Sequence, residues 1–258
     1  MDLGIKDRRA LVTASGRGLG RNIALCLARE GVKVAVVSRT RSDVESLLKE
    51  MGGEASGHYG TSMDLTEEGA PKRLVKALTE DFGPLDIVVH NLGGTLNISD
   101  PFCSVEDWRK IWRFNLEVAV ELNLHLIPPM RERKWGRVVF ISSIASVENQ
   151  GPVTYCSIKA ALTAYARSIG RVLAPEGVVV SAVLPGAVLT KGGHWDISSR
   201  ERPEHVKKYL EDRMAIRRFG TPEEIGNAVA FLCSEKASFF TGSIVPIDGG
   251  QGRGFFSS

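Results

Sequence analysis

Short apolar runs alternate with longer amphipathic stretches along this chain. The apolar runs predict buried strands at 9–14, 33–38, 85–90, 136–142, 178–183 and 243–247, with a weaker pattern at 57–63. The stretches between them predict a helix after 15–20 and further helices at 41–51, 66–81, 104–128, 154–173 and 222–234. Such alternation is typical of a parallel sheet covered by helices on both faces. The pattern therefore predicts an α/β fold with a Rossmann-like, doubly wound parallel sheet.

One segment does not follow the alternation. Between about 187 and 217 the chain is polar and irregular, whereas no repeat, low-complexity tract or linker divides the rest. A length of 258 residues suits one α/β domain with a sizeable core. We therefore predict a single domain over 1–258 that carries an insert at 187–217.

The first predicted strand runs into a glycine-rich turn, Ser15-Gly-Arg-Gly-Leu-Gly20, and then into a helix. In such a turn the glycines let the backbone approach a pyrophosphate, which lies at the positive end of the helix. The turn alone is weak evidence, but the second strand at 33–38 completes a βαβ unit. The N-terminal region therefore predicts a site for a dinucleotide cofactor.

Tyr155 and Lys159 are four residues apart on the predicted helix 154–173, so their side chains share one face. An ammonium group beside a phenol stabilises the phenolate and lowers the pKa of the tyrosine. A tyrosine of this kind can act as the general acid or base of carbonyl reduction or alcohol oxidation. The structural alternative is a half-buried tyrosine over a solvated lysine, and the pair alone does not exclude it.

Polar and small residues also follow successive predicted strands. Segment 91–94 follows the fourth strand, Ser142 and Ser143 follow the fifth, and 185–190 follows the sixth. The carboxyl ends of parallel strands meet at one edge of a sheet, where ligands bind. Asn115 lies inside a predicted helix, where asparagine is unfavourable unless its amide has a role. These positions predict one site that includes Tyr155.

The end of the second strand carries Ser38-Arg39-Thr40, where NAD-binding folds place an acid that grips the ribose hydroxyls. An uncharged residue followed by arginine removes repulsion of a 2′-phosphate and offers it a charge-assisted partner. Arg17 in the glycine-rich turn offers a second cation. The alternative is that Arg39 and Arg41 are merely solvated. We therefore predict a preference for NADP(H) over NAD(H). Because most cells keep this coenzyme in its reduced form, we expect ketone reduction to be the favoured direction.

Composition narrows the partners, the cellular location and the kinds of site that we expect for this protein. The chain is 43% hydrophobic and 24% charged with a net charge of +3, which is too slight to predict a nucleic-acid or membrane partner. No stretch approaches 18 apolar residues, and the N-terminus lacks an apolar segment followed by a cleavage site. The four cysteines are scattered, without a spacing for a metal or redox pair. We predict a cytoplasmic protein without a metal site.

Together these features resemble the short-chain dehydrogenase/reductase family, of the compact single-domain type, over essentially the whole chain. The resemblance rests on Thr13–Gly20, Asp64-Leu65, Asn91-Leu-Gly93, Asn115, Ser143, Tyr155 with Lys159, Pro185–Thr190, Arg218–Ile225 and Thr241–Gly250. By general pattern the chain is similar to 3-oxoacyl-(acyl-carrier-protein) reductases. The resemblance implies an NADP(H)-dependent oxidoreductase that transfers a hydride between the nicotinamide and a ketone or secondary alcohol.

The resemblance also implies roles for individual residues. Tyr155 would exchange the proton with the substrate oxygen, and Lys159 would lower its pKa and hold the nicotinamide ribose. Ser143 would orient the carbonyl, with Ser142 as the alternative because the loop to Tyr155 is one residue shorter than in many members. Asn115 would anchor a water that passes protons to Lys159. The implied cofactor contacts are Thr13, Ser15, Arg17, Gly18, Leu19, Gly20, Ser38, Arg39, Thr40, Asp64, Leu65, Asn91, Leu92, Gly93, Tyr155, Lys159, Pro185, Gly186, Val188 and Thr190.

Two residues depart from the family pattern. Ala14 stands in place of the first glycine of the loop, and alanine disfavours a positive φ. We therefore expect the tight turn to be rebuilt around Gly16. His90 stands where an asparagine usually precedes Asn91. Neither change touches the proton-transfer groups.

The substrate is less defined. Carrier-protein reductases commonly have two arginines at the entrance, where this chain has Lys134 and Glu176; the charge reversal counts against a carrier protein as partner. The resemblance makes 187–217 a mobile lid, with His194 and Trp195 as substrate contacts. The alternative is a solvated lid helix with a packed tryptophan. We expect a ketone or alcohol substrate in the form of an acyl thioester, with a sugar, polyol or secondary-metabolite ketone as the alternative.

Two further expectations concern the whole protein. The family usually assembles through its long helices and last strand, and the apolar strand 243–247 and the pair Phe255-Phe256 suit such contacts. We therefore expect a homotetramer. The alternative to an enzyme is a catalytically idle NADP-binding scaffold, which the presence of both Tyr155 and Lys159 disfavours.

Overall fold

The computed structural model describes residues 1–254, so the pair Phe255-Phe256 lies outside the described residues. Within them, one sheet contains the strands β1 Arg9–Val12, β2 Lys33–Ser38, β3 Tyr59–Ser62, β4 Ile87–His90, β5 Gly136–Ile141, β6 Val178–Pro185 and β7 Ser243–Ile247. The helices are α1 Gly18–Arg29, α2 Arg41–Glu50, α3 Ala70–Asp81, α4 Val105–Trp112, α5 Val118–Glu132, α6 Val153–Leu173, α7 His194–Glu201, α8 Pro203–Arg213 and α9 Pro222–Leu232. Each strand expected from the sequence is present, with ends that differ by a few residues.

The strands pair in parallel in the order β3-β2-β1-β4-β5-β6-β7. The chain winds outward from β1 in one direction through β3, and from β4 in the other. The connections that follow β1 and β4 therefore cross opposite faces of the sheet. A crevice opens between them at the carboxyl ends of these two strands. The predicted doubly wound α/β fold is confirmed.

Helices cover both faces of the sheet, which is why β5 and β6 are buried along their whole length. On one face Phe140 of β5 packs among side chains of α5 and α6, including Leu122 and Leu162. On the other face Ile23 and Val229, from α1 and α9, belong to a second apolar cluster. Burying each of these side chains stabilises the fold by roughly 1.5–3 kcal/mol.

Helix α1 lies along α9, close enough that Cys26 Sγ contacts Asn227 Oδ1 at 3.4 Å. A side chain at Gly226 would place its Cβ 2.6 Å from Cys26 Sγ, so the glycine permits this approach. Helix α9 begins with a capping box, in which Thr221 and Glu224 satisfy each other's backbone N–H groups. The helix that carries the glycine-rich turn is thereby supported by a well-defined neighbour.

A buried polar network lies behind β4. His90 Nε2 and Asn123 Oδ1 are 2.8 Å apart, and Asn123 Nδ2 donates to the Tyr165 hydroxyl at 3.3 Å. The His90 ring also stacks on Phe140, with ring centroids 4.8 Å apart. Burial lowers the pKa of His90 to about 4, so the imidazole is neutral at pH 7. The histidine thus joins β4 to α5 and α6.

The structure corrects two expectations about elements. The single helix predicted over 104–128 is α4 and α5, joined by a π-helical turn at Arg113–Glu117, and it continues to Glu132. The segment 187–217, expected to be irregular, contains α7 and α8. Proline at the first position of α8 favours its start, and Val206 is buried beneath it. Both helices present mostly polar residues, which is why apolar periodicity did not reveal them.

None of the helices within residues 1–254 combines the length and apolar character that a bilayer crossing demands.

Candidate active site

Side chains from neighbouring strands hold the loop between β1 and α1. Thr13 Oγ1 accepts the backbone N–H groups of Asn91 and the next residue at 2.9 and 3.0 Å. Asn91 Nδ2 donates in return to the carbonyls of Thr13 and Ala14, both at 3.1 Å. Ser15 Oγ accepts the N–H of Val37 at 3.0 Å. Thr13 and Ser15 are fully buried, so their side chains shape the loop from behind.

The loop turns at Ala14 itself, which has a φ of +51°. Gly18 is also left-handed, at +57°, whereas Gly16 stays outside the positive-φ region. The expectation of a turn rebuilt around Gly16 is therefore wrong. The alanine takes the strained conformation at a cost of roughly 1–2 kcal/mol, and its backbone is held by Asn91. Gly16 is needed for space instead, since a Cβ there would lie 2.5 Å from Ser38 Oγ.

Helix α1 begins at Gly18, immediately after this loop, and no side chain of the described residues caps it. Its first backbone N–H groups therefore remain for a ligand, and the end of a helix dipole favours an anion. Gly18 and Leu19 line a cavity of about 420 Å³ that extends towards the ends of β5 and β6. The residues present thus fit the pyrophosphate of a dinucleotide.

A smaller cavity of about 220 Å³ lies beside the ends of β1 and β2. Arg17 and Arg39 both line it, with side chains 75% and 71% exposed. Arg17 Nε donates to Asp43 Oδ2 at 2.8 Å, and Arg39 Nη1 lies 3.9 Å from Asp64 Oδ2. The two guanidinium groups suit the adenosine end of a phosphorylated dinucleotide. The predicted cofactor residues that line this cavity are Arg17, Ser38, Arg39, Thr40, Asp64, Leu65 and Leu92.

The larger cavity brings together the residues predicted for proton transfer with those predicted to hold the nicotinamide end. From the predicted set it is lined by Arg17, Gly18, Leu19, Asn91, Gly93, Ser143, Tyr155, Lys159, Pro185, Gly186, Val188, Thr190, His194 and Trp195. Their convergence follows from the topology, since the ends of β4, β5 and β6 are adjacent at this edge of the sheet.

Tyr155 and Lys159 lie on one face of α6, with Lys159 Nζ 5.6 Å from the centroid of the Tyr155 ring. The ammonium group donates to the carbonyl of Ile141 at 3.0 Å, and burial lowers the pKa of Lys159 to about 8. Burial raises the pKa of Tyr155, while the Ser143 hydroxyl acts in the opposite direction. The expected lowering of the tyrosine pKa by Lys159 is therefore not present here, because the ammonium is directed at Ile141 and desolvation dominates.

The two serines after β5 have different surroundings. Ser142 Oγ donates to the carbonyl of Lys159 at 3.1 Å and lies 2.8 Å from Thr163 Oγ1. Both of its hydrogen-bond partners therefore belong to α6. Ser143 Oγ accepts the N–H of Ala145 at 3.1 Å. Its hydroxyl also hydrogen-bonds the Tyr155 side chain, which favours a lower pKa of the phenol. The geometry favours Ser143 as the partner of a substrate carbonyl.

Asn115 lies in the π-helical turn and is buried. Its Nδ2 donates to the carbonyls of Gly94 and Ile111 at 2.9 and 3.0 Å, and its Oδ1 accepts the N–H of Gly94 at 2.9 Å. A Cβ at Gly93 would lie 2.7 Å from Asn115 Oδ1 and 2.9 Å from Lys159 Nζ. The asparagine thus fixes the segment after β4 close to Lys159. Its predicted water-anchoring role stays a prediction.

Helix α7 places both predicted substrate residues at the larger cavity. His194 is exposed at its first position, with its ring centroid 4.9 Å from that of Trp195. The Trp195 ring also packs against Tyr209 and Phe219 in tilted arrangements, at 4.2 and 4.9 Å between centroids. The tryptophan therefore packs within the insert and also lines the cavity, and its predicted contact with the substrate stays a prediction.

Four predicted site residues lie behind the two cavities without lining them, namely Thr13, Ser15, Gly20 and Asn115. Sequence reasoning also missed a third cavity of about 320 Å³, which shares Ser143 and Trp195 with the larger one. Tyr209 and Arg213 line it from α8, and their i, i+4 spacing is a signal that could have found them. Gln251 offers no comparable signal, because only the fold brings it there.

The entrance residues differ from the expected pair of arginines. Glu176 accepts hydrogen bonds from the guanidinium of Arg131, including one from Nη2 at 2.9 Å. Lys134 occupies a left-handed turn with a φ of +51° just before β5. Because the carboxylate of Glu176 is paired with Arg131, it offsets one of the local positive charges.

Comparison with known proteins agrees with this geometry. The family model described as enoyl-(acyl carrier protein) reductase matches residues 13–251. The 3-oxoacyl-[acyl-carrier-protein] reductase of Aquifex aeolicus is 32% identical over 256 residues, which cover 97% of this chain and all of that protein. The chain therefore belongs to the short-chain dehydrogenase/reductase family, and the resemblance is confirmed.

Two crystal structures give the same result at the level of the fold. A 3-oxoacyl (acyl-carrier-protein) reductase from Agrobacterium tumefaciens with NADP bound matches with a TM-score of 0.88 and 32% identity, covering 96% of each chain. L-sorbose reductase from Gluconobacter frateurii, complexed with NADPH and L-sorbose, matches with a TM-score of 0.90 and 27% identity. That match covers 97% of this chain and 98% of the other.

Proposed function

We propose that this protein is an NADPH-dependent reductase of ketones, which it converts to secondary alcohols. The observation that carries the proposal is the convergence of Tyr155, Lys159 and Ser143 on one cavity with the uncapped start of α1. The relatives support the coenzyme, since NADP or NADPH is bound in both crystal structures named above. Arg39 and Arg17, at the adenosine end, would hold the 2′-phosphate.

The residues of this chain would act on the substrate oxygen. When bound, the coenzyme supplies the hydride. Ser143 would donate a hydrogen bond to the ketone oxygen and orient it, and Tyr155 would donate the proton as negative charge develops there. Lys159, buried on the same face of α6 as the phenol, would hold the ribose of the nicotinamide. Asn115 would keep the Gly93–Gly94 backbone and Lys159 in register.

The first candidate substrate is a 3-oxoacyl thioester, supported by the 32% identity to the Aquifex aeolicus protein. The paired carboxylate of Glu176 disfavours docking of an acidic carrier protein, so we propose a thioester or ketone that reaches the site without one. A second candidate is a polyhydroxylated ketone such as a ketose. The polar third cavity beside Ser143 favours it.

We further propose a homotetramer located in the cytoplasm. Several apolar side chains of the described residues are exposed to an unusual degree, including Phe239 at 99%, Val172 at 70% and Leu124 at 67%. Val172 lies on α6 and Leu124 on α5, while Phe239 precedes β7, an edge strand of the sheet. Contacts between subunits would cover both the apolar side chains and the strand edge.

Tyr155→Phe tests the catalytic proposal. The wild type should oxidise NADPH in the presence of a 3-oxoacyl thioester, a ketose or a cyclic ketone, followed by absorbance. Because positioned proton transfer contributes about 10²–10⁴-fold, the variant should lose at least that much rate and keep NADPH affinity within a few-fold. Tyr59→Phe, on β3 and outside both cavities, is the matched control and should retain full rate.

Two results would contradict the proposal. A Tyr155→Phe variant with more than about a tenth of the wild-type rate removes the tyrosine from the acid role, given the expected contribution of proton transfer. NADPH binding without reduction of any ketone class would instead support the idle scaffold.

A further inference from the structure

The third cavity, which we call the polar recess, adjoins the proposed reaction centre and the larger cavity. The two share Ser143, Pro185, Gly186 and Trp195. The recess is therefore placed to receive the part of a ketone that lies beyond its reacting carbonyl. Besides the shared Ser143 and Trp195, its hydrogen-bonding side chains are Asn149, Gln150, Tyr209, Arg213 and Gln251.

Gln251 builds the recess from its buried floor. Its Oε1 accepts the N–H of Ala187 at 2.7 Å, and its Nε2 donates to Gln150 Oε1 at 2.8 Å and to the Tyr209 hydroxyl at 2.5 Å. The side chain is 3% exposed, and a Cβ at Gly186 would lie 2.7 Å from its Oε1. One glutamine thus joins the segment after β6, the segment before α6 and helix α8. These hydrogen bonds fix Gln251, Gln150 and Tyr209 relative to one another before a ligand arrives.

Two of these groups remain able to bind a ligand. The Tyr209 oxygen accepts from Gln251, which leaves its own hydrogen for donation. Arg213 lies on the same face of α8, one turn further along, and is close enough to lower the pKa of Tyr209 against the larger effect of burial, which raises it. Among residues 1–254, no carboxylate forms a salt bridge with Arg213.

The recess contains no acidic side chain that would oppose an anion. None of the residues that line it is Asp or Glu. Glu148, next to the lining residue Asn149, accepts the N–H groups of Arg253 and Gly254 at 2.8 and 2.9 Å. Asp248 likewise accepts the N–H groups of Gly250 and Gly252. The carboxylates of Glu148 and Asp248 are therefore engaged by backbone, and Arg213 is the charged residue among those that line the recess.

We propose that the polar recess binds a carboxylate of the substrate, so that the preferred substrate is a small oxo acid. The inference rests on the proposed ketone reduction. Arg213 forms the ion pair and Tyr209 donates a hydrogen bond, while the ketone oxygen lies at Ser143 and Tyr155. An alkyl chain in the same recess would leave the guanidinium and the amides without partners, which a polar pocket penalises.

Matched pairs of ketones test the inference, for example 3-oxobutanoate against 3-oxobutanamide and 4-oxopentanoate against its amide. The wild type should favour the acid over the amide by about 10- to 100-fold in kcat/KM, the value of a charge-assisted contact. Arg213→Gln should abolish this preference by lowering kcat/KM for the acid towards that for the amide, and Arg213→Lys should restore part of it. Lys207→Gln removes an equal charge from α8 outside the recess and should leave kcat/KM unchanged for both the acid and the amide.

Binding provides a readout that does not depend on turnover. Calorimetry with 3-hydroxybutanoate and 3-hydroxybutanamide, in the presence of NADPH, should show the same preference for the acid and its loss in Arg213→Gln. Equal affinity and equal kcat/KM for acid and amide in the wild type overturn the inference and leave ketone reduction standing. An acid preference that Arg213→Gln does not alter also overturns it. If no ketone is reduced but the binding preference depends on Arg213, the proposed function fails and the recess is retained.

Discussion

At the scale of single residues, Arg39 offers the sharpest test of coenzyme choice. Arg39→Ala should weaken NADPH binding by about ten- to a hundred-fold, because a charge-assisted contact to the 2′-phosphate contributes roughly 1.5–3 kcal/mol. NADH lacks this phosphate, so its affinity should change little. Fluorescence titration with each coenzyme measures both constants.

Arg41→Ala is the matched control for Arg39→Ala. Arg41 is two residues away, equally charged and 85% exposed, but it pairs with Glu45 and does not line the adenosine cavity. Its removal should leave both affinities within about two-fold, as expected for a surface pair of this kind. A wild type that prefers NADH outright contradicts the interpretation of the β2 end.

Residue types at strand ends could be predicted, but their side-chain partners could not. Tyr155 and Lys159 could be predicted from their chemistry and spacing, and Ser143 from the family resemblance. The direction of the Lys159 ammonium, towards the Ile141 carbonyl, depends on where β5 ends against α6. Ala14 shows the same limit, since its carbonyl in this positive-φ conformation accepts a hydrogen bond from Asn91, which lies 77 residues along.

At the scale of elements, the His90 network predicts an acid-sensitive link between β4, α5 and α6. The folded pKa of His90 is about 4, below its ordinary value of 6.5, so the unfolded chain binds this proton first as the pH falls. Its contribution to stability is therefore complete above about pH 6.5, declines from there to pH 4, and is constant below. The difference between the two pKa values limits the loss to roughly 3 kcal/mol.

His90→Asn should remove this part of the pH dependence, whatever its effect on stability at pH 7. Urea unfolding of both proteins between pH 4 and 7.5 measures the free energies. As the pH falls through this range, the free energy of unfolding should decrease less for the variant than for the wild type. A difference that stays constant with pH means that the histidine does not titrate on unfolding.

The elements that sequence reasoning missed share one physical property. Apolar periodicity detects helices that bury a stripe against the core, which is how α1, α3 and α9 were found. Helices α7 and α8 bury few residues, with Ser198 and Val206 as their buried positions. The π-helical turn at Arg113–Glu117 changes the hydrogen bonding inside a continuous helix and leaves no mark in the apolar pattern.

At the scale of the whole molecule, the assembly prediction is open to direct measurement. Light scattering behind a sizing column should give four times the 28.1 kDa mass of one chain at micromolar concentration. Phe239→Glu should lower this mass if the region before β7 is a subunit contact, because a buried, unpaired charge is strongly unfavourable. Phe102→Glu alters another exposed phenylalanine, before α4, and should not. A monomer mass for the wild type contradicts the homotetramer.

The order of elements made the overall architecture predictable. Strand and helix patterns alternate, and right-handed connections between parallel strands then leave few possible arrangements. The polar recess, in contrast, could not be predicted from the order of elements. Gln251 forms hydrogen bonds with Gln150, Tyr209 and Ala187, which are all distant from it in sequence. Such contacts are visible only in the three-dimensional structure.

The packing of α1 on α9 has a consequence for how the protein reaches its native state. Cys26 and Asn227 are in contact although 201 residues separate them. Contacts of such long range are slow to form, because the entropy of closing the loop opposes them until most of the chain is in place. The helix that presents the glycine-rich turn therefore gains its support late in folding. A bound dinucleotide, which recognises only the finished turn, would then favour the folded population by mass action, so the cellular coenzyme supply would itself help to keep this chain folded.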